Sequence, residues 1–337
     1  MTSPPPHPPI ETYLGIDGGG TSTRCVIVER SADGKLGILG EGRGDSGNLH
    51  DVGAERLREH LGHAWGQAWS AAGREPTPSA AVFCGMASVV TPTDRAAVRD
   101  AVVGVGMARA EDVQVDHDLR IALAGGLAGR SGIVSIAGTG SSCFGRNASG
   151  DTWMAGGWGS FLDDRGSSFD LGRGAMIACA RAHDRRGRET LLSATLQDRL
   201  GIGEWRELLA RVDAEGLTRA EVASLAPLVT DAANADDPVA LELIDNGTAA
   251  LAECVATVAR ELDVSDPRVT ATGGLASSGT TWWRSYERAV IGLVPAAHVV
   301  PSSLSPLHGA ALLAIEAAGV AIDGAIIESW TDRHRSR

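Results

Sequence analysis

Apolar residues open the chain in strand-length blocks and then switch to a four-residue spacing. Tyr13-Leu14-Gly15-Ile16 and Cys25-Val26-Ile27-Val28 flank a glycine-rich turn, and Ala32-Asp33-Gly34 leads into Leu36-Gly37-Ile38-Leu39. These runs predict a three-stranded antiparallel meander. From Asp51 onward Leu57, Leu61, Trp65 and Trp69 recur every four residues, a spacing that gathers side chains on one helical face. Ala80-Ala81-Val82-Phe83-Cys84 reads as a buried strand, Thr93 or Asp94 as the cap of a helix over 96–103, and Val113-Gln114-Val115 as another short strand. A meander followed by alternating helices and strands predicts an α/β fold.

The pattern then repeats. Ile16-Asp17-Gly18-Gly19-Gly20-Thr21-Ser22 can be laid over Ile136-Ala137-Gly138-Thr139-Gly140-Ser141-Ser142 without a gap. Each copy follows an apolar strand and precedes another strand-like segment, which favours internal duplication over chance. From about Glu204 to Leu262 the chain is helix-rich, with Asp237 and Pro238 as the N-cap and first residue of one helix. Val269-Thr270-Ala271-Thr272 is a strand ending in Gly273-Gly274, and Pro306 to Ala317 reads as the last helix. At 337 residues the chain exceeds one ordinary core and suggests two domains.

Composition narrows the partners. Apolar residues at 43% and charged residues at 21% are ordinary globular values. The formal charge of −12 opposes binding to nucleic acid or an anionic membrane, so any phosphate site must be local. No apolar run reaches the ~18–20 residues of a membrane span. The Pro-rich start lacks the basic and apolar regions of a signal peptide, and a cytoplasmic protein is expected. Five cysteines lie far apart with no CxxC pair, as free thiols would.

The first candidate for chemistry is Asp17-Gly18-Gly19-Gly20-Thr21-Ser22-Thr23, which lies between two strands. A Walker A loop and the dinucleotide fingerprint both open a helix, and the former needs a lysine; neither fits. A glycine-rich hairpin can still cradle an anion, because backbone N–H groups converge where side chains are missing and hydroxyls add donors. It can also be a tight turn and nothing more. The second copy, Gly138-Thr139-Gly140-Ser141-Ser142, would let two hairpins grip one triphosphate. Asp17 becomes Ala137 in that copy, and one carboxylate suits one Mg²⁺ held through water.

These hairpins, with Gly273-Gly274 after a late strand, resemble the actin-like ATPases. Within them the chain resembles the BadF/BadG/BcrA/BcrD-type ATPase family, especially its N-acetylglucosamine kinase branch. The likeness runs through YLGIDGGGTSTRCVIVE, SGNLHDVG, VDHDLRIAL, IAGTGSS, GGWGSFLDDRGSSFDLGRGAM, ATGGL and SPLHGAALLA, in that order. It implies two actin-like domains with a nucleotide cleft between them: 12–125 with 306–320, and 126–305; the five prolines and absent periodicity of 1–11 predict a disordered tail before them. It implies ATP and Mg²⁺ as cofactors and a homodimer. Gly18, Gly19, Gly20, Thr21, Ser22, Gly138, Thr139, Gly140 and Ser141 would hold phosphates, Gly273 and Gly274 would lie by the adenosine, and Asp17 would anchor the metal.

Asp118 matches the family's catalytic aspartate, taking the proton from the sugar hydroxyl. Asp116 stands two residues away, but DLRIAL aligns with the family's Asp-x-x-x-Ala-Leu pattern only from Asp118. His117 and His308 are read as structural. Asn48, Ser142, Gly157, Trp158 and Asp164 match positions around the sugar, with Asp118. Two departures bear on the acceptor: Arg165 stands where the family commonly has an acid, and Ser142 where some N-acetylglucosamine kinases have asparagine. The resemblance therefore implies phosphorylation of an amino sugar, N-acetylglucosamine ahead of glucosamine. A dehydratase activator needs clustered cysteines for an iron–sulfur cluster. A regulator needs a helix-turn-helix, for which the residues before Tyr13 offer no room.

Overall fold

The computed structural model describes residues 11–87, 89–213, 216–322 and 324–335. The opening apolar runs form β1 (Glu11–Gly18), β2 (Thr23–Arg30) and β3 (Leu36–Gly44). There follow α1 (Leu49–Ala71), β4 (Ala81–Met86), α2 (Pro92–Val105), β5 (Val113–His117) and α3 (Asp118–Gly126). Next come β6 (Gly132–Ala137), β7 (Ser141–Arg146), β8 (Thr152–Gly156), α4 (Ser168–His183), α5 (Leu192–Leu200), α6 (Glu207–Asp213), α7 (Arg219–Ala223) and α8 (Ala226–Asn234). The chain ends through α9 (Pro238–Glu261), β9 (Arg268–Thr272), α10 (Thr281–Leu293), β10 (His298–Val299), α11 (Pro306–Ala317) and α12 (Gly324–Arg335). The fold class is α/β. Two compact units result, one running to Arg130 and resuming at Ser302, the other spanning Ser131–Pro301. Residues 1–10 of the expected tail lie outside the described residues, whereas Glu11 already pairs with Arg30 in the sheet.

The duplication is legible in the topology. The first sheet has the order β3-β2-β1-β4-β5 and the second, read from its other end, β8-β7-β6-β9-β10. Each is an antiparallel meander with two parallel strands added beside its first strand. The gapless overlay of the two hairpins does not survive in register. Gly18 pairs with Thr23 across residues 19–22, whereas Ala137 pairs with Ser141 across the shorter 138–140.

In the first unit both sheet faces are covered, which explains runs of apolar residues in place of strict alternation. Leu14, Ile16, Cys25 and Ile27 face α1 and α2 with Leu57, Leu61, Trp65 and Trp69. Tyr13, Val26 and Val28 point the other way, toward α11 and Trp330 of α12. In the second unit α4, α8, α9 and α10 close around β6 and β9, with Leu251, Val255, Trp282 and Tyr286 buried. Among the described residues no helix is long and apolar enough to cross a membrane.

Three expectations about helix ends change. Neither Thr93 nor Asp94 caps α2: Thr91 does, its Oγ accepting from Asp94 N at 3.2 Å while the Asp94 carboxylate accepts from Thr91 N at 2.7 Å. Pro92 fills the first helical position, where no N–H is required, and so places the cap at Thr91, two residues before Thr93. The first helix begins before Asp51, capped by Asn48, whose Oδ1 accepts from His50 N at 3.1 Å. The helix at Pro306 is followed by α12, whose only strong sequence signal is the spacing of Ile326, Ile327 and Trp330. The Trp330 ring lies 5.9 Å from that of His308.

The helix that carries Asp118 is seated by glycine. A Cβ on Gly309 of α11 would fall 2.1 Å from Ile121 O of α3, and one on Gly125 of α3 would fall 2.3 Å from Ser305 O. The two backbones therefore touch with no side chain between them. Gly309→Ala must push α11 off α3 and is expected to cost about 1–3 kcal/mol, as overpacking does. A lower urea midpoint at unchanged slope would register it, and an unchanged midpoint would show that the crossing is looser than described.

Candidate active site

β1, β4 and β5 run parallel, and Gly18, Met86 and His117 are consecutive partners in register, so the carboxyl ends of the three strands share one edge. In α/β sheets ligands bind outside that edge. Here the 19–22 turn is closed by Gly19 N donating to Ser22 O at 2.9 Å, with Gly20 and Thr21 exposed at its tip. The segment before α1 crosses this turn, Gly47 N donating to Gly19 O at 2.9 Å. A Cβ at Gly47 would lie 2.7 Å from Gly18 Cα, so the contact is backbone on backbone and sets Asn48 beside the hairpin. The first unit thus brings together Asp17, Gly18, Gly19, Gly20, Thr21, Ser22, Asn48 and Asp118.

Two carboxylates dominate its electrostatics. Asp17 is buried, and burial pushes its carboxyl up; Arg24, directly opposite in the β1–β2 register and 2.5 Å away, pulls it back down. Asp118 stands half-buried at the first position of α3. Burial, and then the negative charge of Asp17, push it up to about 6, against the pull of backbone N–H groups at the helix start. Asp116 is differently placed: it accepts from Arg95 Nη2 and from His117 N, each at 2.9 Å. It is held in an ion pair with Arg95. His117 lies at the N-cap of α3, where burial lowers its imidazole, and His308 is held by Ser305 Oγ at 2.7 Å. The donor set fits Mg²⁺, which takes one or two carboxylates and keeps water: Asp17 and Asp118 repel one another across this edge, a repulsion a divalent cation relieves.

The second unit gathers the remaining residues. Gly138 N donates to Gly140 O at 3.0 Å across the hairpin tip, where Thr139 is exposed, and Ser168 N donates to Gly138 O at 2.8 Å. Ser142 pairs in register with Gly156, which sets Gly157 against the Ser142 side chain. Trp158 is 74% exposed, so it is no core residue. Asp164 is buried in the left-handed region at φ 57, a conformation aspartate tolerates better than most. Its Oδ1 accepts from Ser141 N at 3.1 Å, its Oδ2 is ion-paired with Arg219, and Ser141 Oγ donates to Arg165 O at 2.7 Å. The loop around Asp164 is thereby fastened to the hairpin. Gly273, at φ 109, passes so close that a Cβ there would fall 2.4 Å from Ala137 O, while Gly274 opens onto a cavity of about 330 Å³. Ser168, Ala223, Ser224, Leu275 and Trp282 line that cavity with it.

Residues 14–314 match the BadF/BadG/BcrA/BcrD ATPase family. The chain belongs to this family. Among its relatives, the N-acetylmuramic acid/N-acetylglucosamine kinase of Clostridium acetobutylicum is 28% identical over 303 residues, covering 89% of this chain and 97% of that one. The N-acetyl-D-glucosamine kinase of Dictyostelium discoideum is 24% identical over 317 residues, with 90% and 98% covered. A crystal structure from Chromobacterium violaceum, provisionally described as an N-acetylglucosamine kinase, superposes with a TM-score of 0.70 at 26% identity, covering 91% of this chain and all of that one. A ROK family glucokinase from Streptomyces griseus, at TM-score 0.54 and 17% identity over 92% of this chain and 99% of that one, shares the fold.

Two residues of this BadF-type site escape a reading of the sequence. Arg24 could have been found, since it falls opposite Asp17 once the hairpin register is known. Arg219 could not: it lies in a helix-rich stretch with no motif, and only the fold carries it to Gly140 and Asp164.

The Asp118 carboxyl gives a titration test. Its folded value lies above the ordinary ~3.9, so its contribution to stability is full below that value and is lost as pH rises through about 6. Carbon-detected NMR of the nucleotide- and metal-free protein is expected to show one aspartate with a midpoint near that value. Asp17→Asn should move it down by removing a like charge; no movement would show that the two carboxylates do not interact.

Proposed function

We propose that the protein transfers the terminal phosphoryl group of ATP to the 6-hydroxyl of an amino sugar, N-acetylglucosamine first and glucosamine as the alternative. Asp118 carries this reading: it is a half-buried carboxylate at a helix start, on a ligand-binding sheet edge, beside a glycine hairpin. A carboxyl near 6 is a stronger base than an ordinary aspartate yet is mostly ionised at neutral pH. That is the poise required to accept the proton of an attacking hydroxyl. The kinases named among the relatives support the acceptor class.

The roles divide between the units. The hairpins at 18–22 and 138–141 hold phosphates through backbone N–H groups and hydroxyls, and the cavity at Gly274 takes the adenosine. Asn48, Ser142, Gly157, Trp158 and Asp164 hold the sugar, the exposed Trp158 ring offering an apolar face and the amide and carboxylate pairing with hydroxyls. Bound Mg²⁺, held by Asp17 through water, would neutralise charge on the phosphates. Phosphoryl transfer asks the protein for alignment and charge stabilisation, and little covalent work. We place the enzyme in the cytoplasm as a homodimer with no nucleic-acid partner. The activator alternative is disfavoured by cysteine placement: Cys25, Cys84, Cys143 and Cys179 are buried core residues, and burial raises their thiols, which disfavours thiolate ligands.

ADP release with a panel of amino sugars tests the acceptor. N-acetylglucosamine is expected to give the highest kcat/KM, and a tenfold advantage for glucosamine would reverse the order. Asp118→Asn keeps the shape but cannot take a proton, so kcat should fall about 10²–10⁴-fold with no fall in the melting temperature. Near-normal turnover would remove Asp118 from the chemistry.

A further inference from the structure

The second hairpin carries a cation that the proposed roles leave unused. Arg219, the first residue of α7, lays its guanidinium on the hairpin so closely that a Cβ on Gly140 would fall 2.4 Å from its Nη2. Its ion-pair partner is Asp164, fully buried, whose other oxygen accepts from Ser141 N. A carboxylate held by an arginine and a hairpin N–H occupies the kind of donor set that a phosphate oxygen takes. The guanidinium is half-exposed and has donors beyond those that face Asp164.

Position adds a second argument. Ala223, at the far end of α7, and the adjoining Ser224 line the cavity of about 330 Å³ with Gly274. Ala223 lies four positions along the helix from Arg219, a rise of about 6 Å. Ser168 lines the same cavity and donates its N–H to Gly138 O. The path from the cavity to the hairpin is therefore short and passes the N-terminal end of α7. A chain with a formal charge of −12, and with no lysine in either hairpin, needs a local cation on that path.

We propose that Arg219 is a phosphate-binding residue: its guanidinium, resting on Asp164 beside Gly140, bears on the phosphate chain that joins a nucleoside in the Gly274 cavity to the second hairpin. This rests on the kinase reading above. Asp164 then has two states, paired with Arg219 when the nucleotide is absent and released toward the sugar when phosphate takes the arginine.

Calorimetric titration without sugar tests it, with Mg²⁺ and either adenosine, ADP or a non-hydrolysable ATP analogue. Removing Arg219 alone would strand the buried Asp164 carboxylate, so the decisive comparison is Asp164→Asn against the double variant Asp164→Asn/Arg219→Gln, with melting temperatures recorded for both. Asp164→Asn is expected to bind ADP and the analogue as tightly as the wild type or more so. The double variant should lose about 10–100-fold for both while keeping its adenosine affinity, as loss of a charge-assisted contact does. Equal affinity of the two variants for the analogue overturns the assignment, as does an equal loss for adenosine. A wild type that binds neither adenosine nor any adenine nucleotide overturns the kinase reading itself, and the assignment with it.

Discussion

The carboxyl edge of the first sheet depends on Gly47 packing its backbone directly onto Gly18. With 2.7 Å between a notional Cβ and the Gly18 Cα, any side chain at Gly47 would lift the segment before α1 off the hairpin. Asn48 would go with it, and the Gly47 N–H would leave Gly19 O. The second unit uses the same device, Gly273 against Ala137 O and Gly166 against Gly247 O, where a Cβ would fall 2.4 Å away in each case. Anion-binding hairpins need bare backbone, and bare backbone stays in place only when other backbone is laid against it.

On that scaffold the charges are arranged locally against the sign of the whole molecule. An acidic chain repels a free polyphosphate at long range, so the proposed site relies on short-range donors: hairpin N–H groups, Arg219, and a cation between Asp17 and Asp118. Burial, and then repulsion by Asp17, raise the Asp118 carboxyl, and in the proposed mechanism the same repulsion is what a divalent ion would relieve.

Much of this was legible in the sequence because the signals are short-range. The meander, the α1 stripe and the Asp237-Pro238 start follow from period and capping chemistry, and the glycine hairpins could be read from their position between strands. Register was not legible: the gapless overlay of 16–22 on 136–142 failed because turn length is set by pairing that spans the hairpin. The α2 cap was misplaced since Pro92 competes with neighbouring hydroxyl and carboxyl residues for the start. The tie between Asp164 and Arg219 joins positions 55 residues apart and leaves no local trace.

The central claim is that phosphate leaves ATP for a sugar hydroxyl activated by Asp118. A single turnover with ATP labelled in its terminal phosphate, N-acetylglucosamine and Mg²⁺, resolved by phosphorus and proton NMR, tests it most directly. The account predicts one labelled product with phosphate coupled to the protons of carbon 6, and no such product from Asp118→Asn. Label appearing only as inorganic phosphate at the same rate with and without sugar would contradict it.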